Sequence, residues 1–175
     1  LKHHERQVVR LSTLWTTRRV MDCKDRLRGY FQEHDVPFET ATRSPAYTAQ
    51  RVAAALQVSG HQLAKVFMIS AGDALTMTVV PASARVDLPQ AAEALGADEA
   101  RLARENEFAG RFEDCELGAM PPFGNLYDLP VVVDRTLTQS DEIVFSAGTY
   151  TDSMKIRYHD FERLVQPKVA KLTPD

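Results

Sequence analysis

Apolar positions along the first twenty residues are sparse, with Val8, Leu11 and Trp15 able to line one side of a helix. From Asp22 onward the pattern becomes regular. Asp22 is placed to cap a helix running to about His34, with Leu27, Tyr30 and Phe31 on its buried side. Pro37 ends that unit and opens a short strand, Phe38 to Ala41. Ser44-Pro45 then starts a second helix, with Ser at the cap, Pro at the first position and Ala49, Val52, Ala53 and Leu56 facing inward. Gly60 closes it.

Two apolar runs follow, Leu63 to Ser70 and Leu75 to Val80. Joined by Ala71-Gly72-Asp73-Ala74, they predict an antiparallel pair that Pro81 terminates. Asp87 and Pro89 begin a short helix through Leu95, Asp98 begins another through about Leu102, and Glu105 to Phe108 forms a helical turn. Strands are predicted at Val131 to Asp134, Glu142 to Ser146 and Ser153 to Tyr158. A last helix from about Asp160 to Val165 precedes Pro167 and a loose tail, residues 168–175. Helices and strands do not alternate regularly, so the pattern predicts one α+β domain, not a doubly wound sheet.

Composition narrows the class. The chain has 175 residues, 44% apolar and 26% charged, the profile of an ordinary globular domain. No run reaches the roughly 18 apolar residues of a membrane helix. Cys23 and Cys115 lie far apart with no Cys-x-x-Cys pair, which removes zinc ribbons and thioredoxin-like motifs and points to a reducing cytoplasm. The net charge of −3 is uneven: residues 1–28 hold eight basic and three acidic side chains, leaving 13 basic and 21 acidic elsewhere. Contact with a polyanion is therefore expected to be local. Residues 1–21 form a basic extension. The sequence opens on Leu1, and Met21-Asp22 reads as a native start, with the preceding residues an upstream extension or a transit-like segment.

Three features carry candidate chemistry. Strand alternation puts Lys65 on the same face as Phe67 and Ile69, where it either escapes to solvent at the strand end or meets a phosphate or a developing oxyanion. Leu117-Gly118-Ala119-Met120-Pro121-Pro122-Phe123-Gly124 brackets two prolines with two glycines. It is either a structural turn or a stiff loop that presents backbone to a ligand. Phe145 to Ser153 concentrates hydroxyls and one carboxylate around Gly148. His3, His4, His34, His61 and His159 have no metal-ligand spacing, and there is no nucleophile elbow, Walker loop or dinucleotide fingerprint. Neither a metal nor a cofactor is expected.

These segments, in this order, resemble the YbaK family, also called the prolyl-tRNA-synthetase-associated editing domain. The matching stretches are AYTAQRVAAAL (46–56), LAKVFMIS (63–70), GAMPPFG (118–124), LPVVVDRTL (129–137) and IVFSAGTYTDSMKIRYHDFERLV (143–165). The combination of Lys65 with Gly118 and Pro122 is specific in that company. The resemblance implies a YbaK-like domain over residues 22–167, with a curved, mixed, largely antiparallel sheet flanked by short helices and a cleft on one side. It implies hydrolysis, without a cofactor, of the ester joining a wrong amino acid to the 3′-terminal adenosine of a tRNA, tRNA-Pro or a related one. An aminoacyl-tRNA synthetase is the implied companion, and the cytoplasm the implied setting. The alternative is a non-catalytic module of the same fold that binds tRNA, a nucleotide or a synthetase.

Residue by residue, the resemblance assigns the 3′ end to Lys65 and the ester and water to Gly118 and Pro122. Tyr47, Thr48, Met120, Phe123 and Gly124 are implied substrate contacts. Ser146, Gly148, Thr149 and Asp152 are implied to line the opposite wall, with Asp152 meeting the substrate ammonium. The chain departs from the family before its AYT stretch, where Arg43-Ser44-Pro45 replaces a histidine that several members carry. Arg43 is expected to contact a tRNA phosphate or cover the surface. Tyr150 is a second position at which the family's usual side chain is not carried over.

Overall fold

The structure, a computed structural model, describes residues 21–42, 59 and 61–175. Helix α1 spans Cys23–Glu33, and the Asp22 carboxylate accepts the Asp25 N–H at 2.8 Å. Cys23, Leu27 and Phe31 recur every fourth residue and are buried, as an amphipathic helix requires. Strand β1 (Glu39–Thr42) follows. The helix expected after Ser44 lies outside the described residues.

Strands β2 (Ala64–Ala71) and β3 (Ala74–Pro81) pair antiparallel around Gly72-Asp73, with Gly72 at φ +60°. Helix α2 (Leu88–Leu95) is capped by Asp87, whose side chain accepts the Gln90 N–H, and ends at left-handed Gly96. The helix expected from Asp98 does not form. Arg101–Leu102 is instead a short strand, β4, on the free edge of β2, where backbone pairing outweighs the local helical tendency of a four-residue stretch. Helix α3 (Glu105–Phe108) is a single turn, its Glu107 carboxylate accepting the Arg104 N–H at 2.6 Å.

Strand β5 (Val131–Asp134) lies parallel between β3 and β8 (Lys168–Ala170), and all four of its residues are buried, the pattern of a strand covered on both faces. Strands β6 (Glu142–Ser146) and β7 (Asp152–Arg157) pair antiparallel, and β1 adds to β7. Helix α4 spans Tyr158–Val165. The sheet thus resolves into two, ordered β1-β7-β6 and β4-β2-β3-β5-β8. A parallel bridge between Leu63 and Val144 joins them, with the Val144 N–H donating to the Gln62 carbonyl at 3.0 Å.

The main core lies between the two sheets, α1 and α4. Phe123 is at its centre, 5.3 Å from the rings of both Phe31 and Phe145 and 5.7 Å from Phe161. A smaller cluster of Val80, Ala91, Val132 and Leu172 fills the other face of the larger sheet under α2. The tail expected to be loose is built in. Beyond β8, Leu172 is fully buried and its N–H donates to the Asp134 carboxylate at 2.7 Å, while its carbonyl accepts the Asp87 N–H at 2.7 Å. One buried carboxylate holding backbone from two segments explains why a short polar tail orders.

Candidate active site

Lys65 stands on β2 between Ala64 and Val66, which turn toward the main core, and shares the opposite face with Phe67 and Ile69. Its ammonium lies 5.1 Å from the centroid of the Phe67 ring, so the aliphatic stem covers apolar surface while the charge stays exposed. Among the described residues it has neither a hydrogen-bond nor an ion-pair partner. The bridge that joins the sheets sets its neighbourhood. Lys65 is two residues beyond Leu63, and Ser146 is two residues beyond Val144, in strands that run parallel at that point. Both therefore leave the bridge in the same direction and on the same side.

The Gly118–Gly124 loop is fastened at both ends. Gly118 is exposed at φ +91°, a conformation that favours glycine, and a Cβ there would sit 2.9 Å from the Tyr150 hydroxyl oxygen. At the other end, a Cβ on Gly124 would fall 2.5 Å from Val131 Cγ2 and 2.7 Å from the Leu129 carbonyl oxygen. Pro121 and Pro122 are buried between them. The side chains of Met120 and Phe123 turn into the core and hold the loop from below, and of residues 118–124 Gly118 is the exposed one.

The hydroxyl-rich loop packs directly on this one instead of facing it across a cleft. The Gly148 N–H donates to the Ala119 carbonyl at 3.0 Å, and the Glu116 N–H donates to the Gly148 carbonyl at 2.7 Å. Tyr150 completes the seam: its N–H donates to a Glu116 carboxylate oxygen at 2.9 Å and its hydroxyl to the Leu117 carbonyl. Gly148, at φ +93°, lies against α1, where a Cβ would come within 2.3 Å of Cys23 Cβ.

Asp152 sits in a network that sequence reading did not find. Lys24 Nζ is 2.8 Å from Oδ1, the Thr42 hydroxyl donates to the same oxygen at 2.7 Å, and the Thr149 hydroxyl donates to Oδ2 at 2.8 Å. Thr149 Oγ1 in turn accepts the Asp152 N–H at 3.0 Å. Burial pushes the Asp152 carboxyl up, but Lys24, Thr42 and Thr149 outweigh it and hold the group below the usual aspartate range. Both carboxylate oxygens are therefore engaged from within the protein. Lys24 gave no local signal, because its partner is far along the chain. Tyr47, Thr48 and Arg43 lie outside the described residues.

Cys23 and Cys115, distant in sequence, converge. Their sulfurs and an Asp114 carboxylate oxygen all lie within 4.8 Å of one another, directly beneath Gly148.

Residues 43–164 match the aminoacyl-tRNA editing domain family. The chain belongs to that family. The matched span includes Lys65, both loops and every strand from β2 to β7. The editing domain is 33% identical over 95 residues to the multifunctional Ser/Thr-tRNA deacylase ProXp-y of Escherichia coli K12, and equally to that of strain O157:H7. The match covers 54% of this chain and 56% of each relative, so it spans about half the length of these proteins. Among solved structures, a candidate trans-editing enzyme for prolyl tRNA synthetase superposes with a TM-score of 0.76 at 20% identity, over 87% of this chain and 98% of that one. A scaffold protein from epitope backbone grafting gives 0.74 at 21% identity, over 87% and 97%. At these identities the structures show the editing-domain fold. Helix α1, which supplies Lys24 and Cys23, and strand β8 fall outside the matched span. Among the described residues, no helix is long and apolar enough to cross a membrane.

Proposed function

We propose that this editing domain is an aminoacyl-tRNA deacylase that acts in trans, hydrolysing the ester of a mischarged tRNA in the cytoplasm. The observation that carries the reading is Lys65, an exposed ammonium with no anionic partner among the described residues, on the side of the sheet junction that also bears Ser146. Such a cation is available to a phosphate of the tRNA 3′ end. The exposed backbone at Gly118, in a loop stiffened by Pro121 and Pro122, is proposed to hold the ester and the attacking water. An aminoacyl ester is labile enough that orientation plus a well-placed oxyanion donor, worth roughly 3–4 kcal/mol, accounts for much of the rate without a side-chain nucleophile.

Tyr47, Thr48 and Ser146 complete the proposed substrate contacts, while Gly148 and Thr149, whose polar groups are engaged within the protein, are proposed to position the loop. With its carboxylate engaged by Lys24, Asp152 is proposed to position the loop instead of binding the substrate ammonium directly. Contact with the nucleic acid is confined to its 3′ end, in keeping with an acidic body. A synthetase is the proposed companion.

The amino acid removed is proposed to be a small one bearing a hydroxyl. The relative's name supports this, as does the Ser146 hydroxyl on the Lys65 side of the sheet junction. A site built to hydrogen-bond a hydroxyl discriminates far better than one sensing a single methylene, which is worth only ~1–3 kcal/mol. The test is a deacylation panel with seryl-, threonyl- and alanyl-tRNA on several tRNA bodies, tRNA-Pro among them. Faster release of serine or threonine than of alanine supports the assignment. Hydrolysis of none of them refutes the deacylase, and binding without turnover favours the non-catalytic module.

A further inference from the structure

The convergence of Cys23, Asp114 and Cys115 has a fourth member, Tyr127. Its hydroxyl oxygen lies 3.1 Å from Asp114 Oδ2, 3.3 Å from Cys115 Sγ and 3.7 Å from Cys23 Sγ, while Cys115 Sγ is 3.5 Å from Asp114 Oδ1. A tetrahedral zinc ion with bonds of about 2.3 Å to sulfur and about 2.0–2.2 Å to oxygen sets its ligand atoms about 3.3–3.8 Å apart. The observed separations fall close to that range. We propose that Cys23, Cys115 and Asp114, with Tyr127 or a water completing the tetrahedron, form a structural site for a thiophilic divalent cation such as Zn²⁺.

Charge supports the assignment. Two thiolates and a carboxylate around a divalent ion leave one negative charge, and the Arg26 guanidinium balances it, 3.6 Å from Asp114 Oδ2 and 4.8 Å from the centre of the Tyr127 ring. Cysteine binds such an ion as the thiolate, so each thiol would give up its proton on binding. A cavity of about 270 Å³ lined by Arg26, Arg111, Glu113 and Asp114 reaches the carboxylate side of the cluster. The ion would tie the first turn of α1 to the segment whose Glu116 and Leu117 hold Tyr150. The proposal is independent of the deacylase reading.

Titration of the reduced full chain with cobalt(II), and then zinc(II), decides it. One Co²⁺ per chain is expected, with thiolate-to-cobalt charge-transfer absorption that zinc abolishes. Zinc binding should release protons, because cysteine ligates as the thiolate. Cys115→Ser and Asp114→Asn, both at half-buried positions, should each weaken cobalt binding at least tenfold while leaving the far-UV circular dichroism unchanged. Absence of the thiolate band in the folded wild type would overturn the site, as would equal affinity in Cys115→Ser.

Discussion

Lys24 Nζ and Asp152 Oδ1 lie 2.8 Å apart although 128 residues separate them in the chain. The pair ties α1 to the start of β7 and fixes one end of the hydroxyl-rich loop. Removing the lysine leaves a largely buried carboxylate with only hydroxyl donors. Lys24→Met should lower stability by about 1.5–3 kcal/mol, the range for hydrogen bonds to charged groups, measured by urea unfolding at neutral pH.

The same pair sets a pH dependence. The folded-state Asp152 carboxyl lies below its ordinary value, so its contribution is fully present above the unfolded aspartate pKa of about 3.9 and is lost as pH falls through the lower folded value. Asp152→Asn should therefore flatten the acid limb of a stability-versus-pH curve below about pH 4. An unchanged limb would mean that Asp152 is not held in its charged form.

Gly148 and Gly118 both have positive φ but differ in what surrounds them. A methyl on Gly148 meets Cys23 Cβ at 2.3 Å, inside the packed contact with α1, whereas one on Gly118 meets only the Tyr150 side chain. Gly148→Ala should cost at least about 2 kcal/mol from strain and overpacking together. Gly118→Ala should cost less stability yet slow deacylation, and Tyr150→Phe combined with it should recover part of the stability. Thermal melts and single-turnover rates separate the two effects.

Much of this architecture is legible in the sequence because its signals are local. Asp22 and Asp87 cap the helices they precede, Gly72-Asp73 turns the hairpin, and β-alternation puts Lys65 on its face. The misses share a physical cause. Arg101–Leu102 becomes strand only because β2 offers it an edge, and the 168–173 segment orders only because Asp134 and β5 receive it. The Lys24–Asp152 pair and the Cys23–Cys115 cluster depend on α1 packing against loops beyond residue 110. The spacing rules for motifs cannot see such pairs. Phe123 shows the reverse: the family resemblance implies substrate contact for it, yet its fully buried ring anchors the core.

That burial has a measurable consequence. Phe123→Ala removes the ring that Phe31, Phe145 and Phe161 all pack against, and should cost about 3–5 kcal/mol. Chemical denaturation would show it as a lower midpoint. Near-wild-type stability would mean the loop is not held from below.

Lys65 carries the central claim, and its partial exposure makes it removable without collapse of the fold. The decisive measurement is single-turnover deacylation of mischarged tRNA by Lys65→Ala and Lys65→Arg, with melting temperatures recorded alongside. At least a hundredfold loss in Lys65→Ala, about 2.7 kcal/mol in transition-state free energy, is predicted with an unchanged melting temperature and partial retention of activity in Lys65→Arg. A Lys65→Ala rate equal to wild type would contradict the account.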